Sequence, residues 1–251
     1  MKLVVAGDFE LNGEIVCEGR YVDGSIQAYG HYSGSGGAVW IECATLSGAG
    51  TINVNGGRQL GSFGGGGGRA AVWQTVAANT NAFTGTITAF GAMYDNGVGT
   101  ANQTPGASCG TIFYHNAGDA ADGGLLVLDG KNGANDTGDS VNSSQPSRTD
   151  FPGEDGAAAF KNADIVVKRR AMLHLTEDVT VRDVLMTTDS GRGSSVIRLN
   201  GYTLFITGRE HRHISTLAPN MGKGWSGTVA NGSAEGGAIR WLTHGMMILL
   251  R

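Results

Sequence analysis

Gly50-Thr51-Ile52-Asn53-Val54-Asn55-Gly56 decides the reading: a glycine, a short alternation of polar and apolar residues, and a second glycine. On an extended chain Ile52 and Val54 fall on one face and the asparagines on the other, because successive strand side chains point to opposite sides. One face is dry and the other wet. The same arrangement occurs earlier as Gly13-Glu14-Ile15-Val16-Cys17-Glu18-Gly19 and later as Gly85-Thr86-Ile87-Thr88-Ala89-Phe90-Gly91. A looser copy is Gly124-Leu125-Leu126-Val127-Leu128-Asp129-Gly130, and the opening glycines stand 37, 35 and 39 residues apart.

A second motif interleaves with the first: Gly37-Ala38-Val39-Trp40, Ala70-Ala71-Val72-Trp73 and Gly110-Thr111-Ile112-Phe113, whose aromatic positions are 33 and 40 residues apart. Its strand character is plain in Val39-Trp40-Ile41-Glu42-Cys43, where Val39, Ile41 and Cys43 share one face and Trp40 and Glu42 the other. Two motifs in constant order at a near-constant period predict an all-β solenoid of stacked coils rather than a globular sandwich. Helix has little place in it. The apolar clusters are short and separated by Gly, Asn, Ser and Asp, and residues 64–68 are five consecutive glycines, each costing about 1 kcal/mol relative to alanine in a helix.

From about residue 160 glycine thins and aliphatic strands dominate, expected at 163–167, 171–175, 179–186, 195–199, 203–207, 227–230, 238–242 and 246–250, with Asn200-Gly201 as a tight turn between two of them. The coil length there shortens to roughly 20 to 25 residues. Residues 130–156 are polar throughout and form a long loop, of the kind that is functional or disordered. The expected organisation is therefore 1–129 as glycine-decorated coils, 130–160 as a loop insertion, and 161–251 as plainer coils continuing the same stack.

Composition supports this and removes other classes. Glycine is 43 of 251 residues, more than twice the usual share of about 7%. Proline is 4, and without a Gly-X-Y period collagen is excluded. No apolar run approaches the ~18 residues of a membrane-spanning helix. A net charge of −4 with no long basic run argues against nucleic acid as a partner. No signal peptide is read after Met1-Lys2, and the first and last residues lie in strand patterns. The expectation is a module of a longer exported chain, or ends covered by another copy. Three cysteines, Cys17, Cys43 and Cys109, cannot all pair within one chain, and their apolar surroundings read as small buried side chains.

The runs Gly34-Ser35-Gly36-Gly37-Ala38-Val39-Trp40-Ile41 and Thr45-Leu46-Ser47-Gly48-Ala49-Gly50-Thr51-Ile52, with Asn55-Gly56-Gly57 and residues 64–69, resemble the glycine-rich repeat of large secreted or surface-attached bacterial proteins. Leu199-Asn200-Gly201-Tyr202-Thr203-Leu204-Phe205-Ile206-Thr207-Gly208 resembles a second repeat of the same adhesin-like, autotransporter-passenger-like proteins. The resemblance implies a right-handed parallel β-helix, export to the cell surface or beyond, and a structural or adhesive role. It supplies no catalytic residue.

Candidate chemistry is thin. Acids cluster as Asp119 with Asp122, Asp136 with Asp139, and Asp150 with Glu154 and Asp155, in loops where aspartate serves turns. The Asn-Thr-Asp, Gly-His-Gly and Arg-Ile-Lys signatures of polygalacturonases are missing. Within Arg209-Glu210-His211-Arg212-His213, two histidines share a face, yet the arginines repel a divalent cation and no third ligand stands nearby. The five glycines lead into a strand rather than a helix N-terminus, against a phosphate loop. Asn102, Asn135, Asn142 and Asn231 head glycosylation triplets of a kind that chance produces in such a composition. Trp40, Trp73 and Phe113 form an outer ladder that either stacks on sugar rings or lies covered by glycine-rich loops. No catalytic, cofactor-binding or metal-binding residue is assigned, and no cofactor. The expected function is a non-catalytic extracellular structural or adhesive module. It associates as a homo-oligomer or polymer through open solenoid ends, with a surface polysaccharide as a further partner. The alternative is a carbohydrate-binding or polysaccharide-cleaving β-helix, and a trimeric phage fibre fragment is a third reading.

Overall fold

The structure is a computed structural model. It describes residues 1–20, 33–57, 59–60, 64–76, 82–92, 94–95, 107–130, 147–153, 156–169, 171–186, 188–189, 193–208, 228–230, 237–243 and 246–248. The protein is almost all β, with mostly parallel sheets. Among the described residues the helical content is a single 3-10 turn at Ala157–Phe160. Two compact units divide the chain: Met1–Gly118 with Asp129–Ser147, and Asp119–Leu128 with Arg148–Arg251.

In the first unit each pass of the chain adds a strand to the same sheets. Lys2–Val4, Ala38–Cys43, Arg69–Gln74 and Thr111–His115 lie side by side in parallel. Phe9–Glu10 pairs with Leu46–Ser47, and a bridge from Gly48 to Phe83 carries that edge onward. Glu14–Val16, Thr51–Asn53 and Thr86–Thr88 form the third sheet, with Glu14 opposite Thr51 and Thr51 opposite Thr86. These are the 37- and 35-residue steps of the first motif, now seen as strand register. The looser fourth copy does not extend that sheet. Gly123–Asp129 neighbours Asn162–Lys168, which neighbours Asp183–Met186.

The alternation in the sequence is the burial. Val39, Ile41 and Cys43 are fully enclosed, as are Ile52 and Val54. Trp40, Glu42, Asn53 and Asn55 are only half-buried on the opposite face. Asparagine side chains tie successive passes together: Asn12 Oδ1 accepts from Ala49 N at 3.1 Å, and Asn55 Oδ1 from Phe90 N at 2.7 Å.

The second motif pairs differently from its aromatic spacing. Trp40 lies opposite Ala71, which lies opposite Phe113, while Trp73 faces Glu42 and His115 two residues further on. Glycine sets this register. Gly37, Gly68 and Gly110 immediately precede the paired residues Ala38, Arg69 and Thr111. A Cβ on Gly68 would stand 2.0 Å from the Gly37 carbonyl oxygen, and one on Gly110 1.8 Å from that of Gly68. Only hydrogen fits between backbones this close, so the glycines align and Trp73 is carried two positions along.

In the second unit all eight expected strand regions are present, the third as two strands. Ser147–Phe151, Ala171–Leu175, Val196–Arg198 and Thr228–Ala230 form one sheet. Val179–Val181, Thr203–Ile206 and Ala238–Thr243 form another, and Met246–Ile248 turns back antiparallel on its last strand. Asn200-Gly201 makes the expected tight turn, with φ of 52° and 85° and Tyr202 N donating to Leu199 O at 2.9 Å. It turns the chain from one sheet to the next rather than closing a hairpin, because the flanking strands pair in parallel with other strands.

Candidate functional site

The outward face of Ala38–Cys43, Arg69–Gln74 and Thr111–His115 carries the richest side-chain chemistry among the described residues. Odd-numbered inward positions of the first strand fill the core, which leaves Trp40 and Glu42 outside, and the register sets Trp73 and His115 in the same row as Glu42. Trp40 and Trp73 stack with ring centroids 5.3 Å apart at 20°. Trp73 and His115 stack at 3.9 Å and 17°, and Phe113 leans on Trp73 at 6.0 Å. At the near end the Lys2 ammonium lies over the Trp40 ring at 5.6 Å and 4.0 Å from the Glu42 carboxylate.

A groove of about 360 Å³ opens beside this ladder, lined by Trp40, Glu42, Trp73, Gln74, Thr75, His115 and Ala117. Gln74 is fixed in place, accepting from Leu46 N at 2.8 Å and donating to Asn116 at 3.0 Å. The indole nitrogens of Trp40 and Trp73 are enclosed and meet no acceptor among the described residues. Both faces of Trp73 are taken by its neighbours in the ladder. One face of Trp40 is taken by Trp73, and Lys2 also lies over its ring. The groove is therefore walled by ring edges and one carboxylate rather than by an open aromatic platform. The ladder is neither a free sugar-stacking stripe nor a fully covered one.

A second charged cluster lies in the second unit. His174 Nδ1 is 2.9 Å from Asp150 Oδ1, and Arg148 Nε donates to the same oxygen at 2.7 Å. On the other side His174 pairs in register with Arg198. Burial is the first cause that pushes the His174 imidazole below its ordinary value. The charge of Arg148 adds to it, Asp150 opposes it, and Arg198 adds a further push. Burial pulls the Asp150 carboxyl upward, but Arg148 and then His174 outweigh that and hold it below the ordinary carboxylate value. Asp164, almost wholly enclosed, receives both Nε and Nη2 of Arg182. Opposite it in register stands Asp183, whose Oδ1 accepts from Val184 N at 2.8 Å.

Of the acids singled out in the sequence, Asp122 accepts from Asn162 Nδ2 at 2.8 Å, and Asp119 lies close enough to Arg182 to favour its charged form. Asp150 joins His174 rather than another acid. Asp136, Asp139, Glu154, Asp155, residues 209–213 and the asparagines at 102, 135, 142 and 231 lie outside the described residues. The five glycines at 64–68 run into a strand, as expected. Among the described residues no group of three or more His, Cys, Asp or Glu is placed to hold a metal ion. No disulfide joins Cys17, Cys43 and Cys109, and burial followed by the charge of Asp8 pushes the Cys43 thiol up, away from reactivity. Burial also pushes the Tyr114 hydroxyl up to about 12.

Sequence reading missed the Asp150–His174–Arg198 column. Its signal was present as two equal 24-residue steps, from Asp150 to His174 and from His174 to Arg198.

Comparison with protein-family models, with curated proteins and with solved structures finds no match.

Proposed function

We propose that this chain is a non-catalytic structural module of an extracellular or cell-surface protein, wound as a right-handed parallel β-helix. The observation that carries the reading is the repeated pairing step. In the first unit, one sheet advances by 37 and then 35 residues, and Gly50, Gly68, Gly85 and Gly110 each stand where a side chain would run into the backbone of the preceding pass. A chain built this way gains a continuous dry interior by adding similar coils, each held by its neighbour. The charged groups support a structural role too. Asp122, Asp150 and Asp164 are each bound to a neighbouring side chain, and act as struts between passes rather than as free acids or bases. Export and adhesion follow the resemblance to glycine-rich surface repeats. Two measurements test the reading. Circular dichroism is expected to be β-type without helical minima. Incubation with neutral and acidic polysaccharides is expected to release no reducing ends and no unsaturated products, and product formation abolished by an acid-to-amide substitution would overturn it.

The groove beside Trp73 favours a second reading, binding of an oligosaccharide without cleavage. Its ligand would meet ring edges and the Glu42 carboxylate, so hydroxyl contacts rather than ring stacking would dominate. Quenching of tryptophan fluorescence by oligosaccharides, lost in Trp73→Ala and Glu42→Gln, supports it. An unchanged spectrum across neutral and acidic sugars removes it.

A further inference from the structure

We infer that the groove beside Trp73 takes a sugar bearing a protonated primary amine, and that this amine competes with Lys2 for the Glu42 carboxylate. The inference rests on the oligosaccharide reading of the groove and adds the class of sugar. Glu42 is the only acid among the residues that line it. Among the described residues its carboxylate accepts no hydrogen bond, since Lys2 Nζ at 4.0 Å lies beyond hydrogen-bond reach. Other acids of the same unit are tied down: Asp8 accepts from Thr45, Glu10 from Asn12 and Glu18 from Asn53. An ionised carboxylate has only acceptor capacity. The strand face that satisfies its other acids leaves this one to water or to a ligand's donors.

The chain already brings an ammonium to this place. Lys2 pairs in register with Trp40, and its Nζ lies over the Trp40 ring at 5.6 Å, within the range where a cation is drawn to an aromatic face. Glu42 is two residues further along the same face, so ring and carboxylate attract one positive charge together. The hold on Lys2 is loose. Its side chain is 63% exposed, and an exposed ion pair at 4.0 Å contributes little. A flexible lysine stem held this weakly is displaced by an amine with further anchors. The groove supplies them. Thr75 Oγ1 donates to Cys43 O at 3.3 Å and keeps its lone pairs for a sugar hydroxyl. The bonds that fix Gln74 hold that wall rigid, so little order is lost on binding.

Charge then ranks the sugars. A hydrogen bond from an ammonium to a carboxylate is roughly twice as strong as one between neutral groups. A neutral or N-acetylated sugar still reaches Glu42 through a hydroxyl or amide donor but brings no charge. A uronic acid brings its own carboxylate towards that of Glu42 and is repelled. The order is basic above neutral above acidic, and salt narrows the gap because the site is open to solvent. A volume of about 360 Å³ lies at the low end of small-molecule sites, which limits the groove to a short stretch of sugar.

Titration calorimetry and tryptophan fluorescence of the full chain test this, with short oligomers of glucosamine, N-acetylglucosamine, glucose and galacturonate at a pH where the amine is protonated. Glucosamine oligomers are expected to bind about three- to tenfold more tightly than their N-acetylated counterparts, and galacturonate the most weakly. Glu42→Gln is expected to abolish the preference with the β-type circular dichroism unchanged. Lys2→Ala is expected to tighten glucosamine binding by about two- to fivefold. Glu14→Gln, an exposed acid on another sheet of the same unit, controls for general attraction to a negatively charged chain and is expected to change nothing. Equal affinity for the glucosamine and N-acetylglucosamine oligomers overturns the inference and leaves the oligosaccharide reading intact. No binding of any of the four removes both. A preference that survives Glu42→Gln, or that Glu14→Gln removes, belongs to the net charge and overturns the inference. Failure of Lys2→Ala to tighten binding overturns the competition.

Discussion

Gly68 has backbone on every side. The space its missing side chain would need is held by the Gly37 and Val54 carbonyls, which move only if the strands move. Gly68→Ala is expected to destabilise the first unit by about 1–3 kcal/mol, and Gly7→Ala, where nothing lies within 4 Å, to change nothing measurable. Urea denaturation of both variants checks the contrast. The same residue explains an incomplete reading of the sequence. Large tryptophans are the conspicuous feature of the second motif, but a half-buried ring tolerates a shift along the strand and a glycine between two carbonyls does not. Register follows the residue with the least freedom.

His174 carries a prediction of its own. Because its folded value lies below the ordinary 6.5, the unfolded chain takes up the proton first as pH falls. Stability is whole above pH 6.5, declines below it, and levels off once the folded imidazole is also protonated. Asp150, also lowered, adds a second decline that begins near pH 3.8. Chemical denaturation as a function of pH is expected to show the first decline in the parent chain and to lose it in His174→Gln. A first decline of equal size in the variant would assign it to another group. Neither partner was legible by proximity in sequence, since Asp150 and His174 are 24 residues apart; only a known pass length brings them together.

Strands were the most legible elements, because period-two alternation needs nothing beyond neighbouring residues. Ile52 shows why it was reliable: it is fully enclosed and flanked in register by Ile15 and Ile87. Ile52→Ala removes the middle of that apolar column and is expected to cost about 2–5 kcal/mol, measured by thermal or urea unfolding, whereas Asn53→Ala on the wet face should cost far less. Turns were legible in place but not in role. Asn200-Gly201 carries the residues of a hairpin turn, and their left-handed backbone is present, yet which strands a turn joins depends on partners that lie far away in sequence. At φ 52° a β-branched side chain is strained. Asn200→Val is expected to destabilise the second unit by about 1–2 kcal/mol and Asn200→Gly to be nearly neutral, with melting temperature as the readout.

At the scale of the whole molecule, the candidate site was the least legible part. The residues of the groove were all visible, but its character depends on Trp73 being sandwiched between Trp40 and His115, which turns an apparent platform into a wall of ring edges.

The constant register has a last consequence, for how such a protein changes its size. Thr51 and Thr86 occupy equivalent positions, as do Trp40 and Phe113 through Ala71. Excising residues 51–85 joins Gly50 directly to Thr86 and leaves Glu14 facing Thr86 and Trp40 facing Phe113, though Tyr94–Asp95 loses its partner Gln59–Leu60, whereas an odd-numbered deletion inside a strand puts apolar residues into water. The shortened chain is expected to remain soluble and to unfold cooperatively, and the out-of-phase deletion to aggregate. Growth and loss in whole multiples is thus the route by which duplication and recombination could lengthen or trim this protein without redesigning its interior.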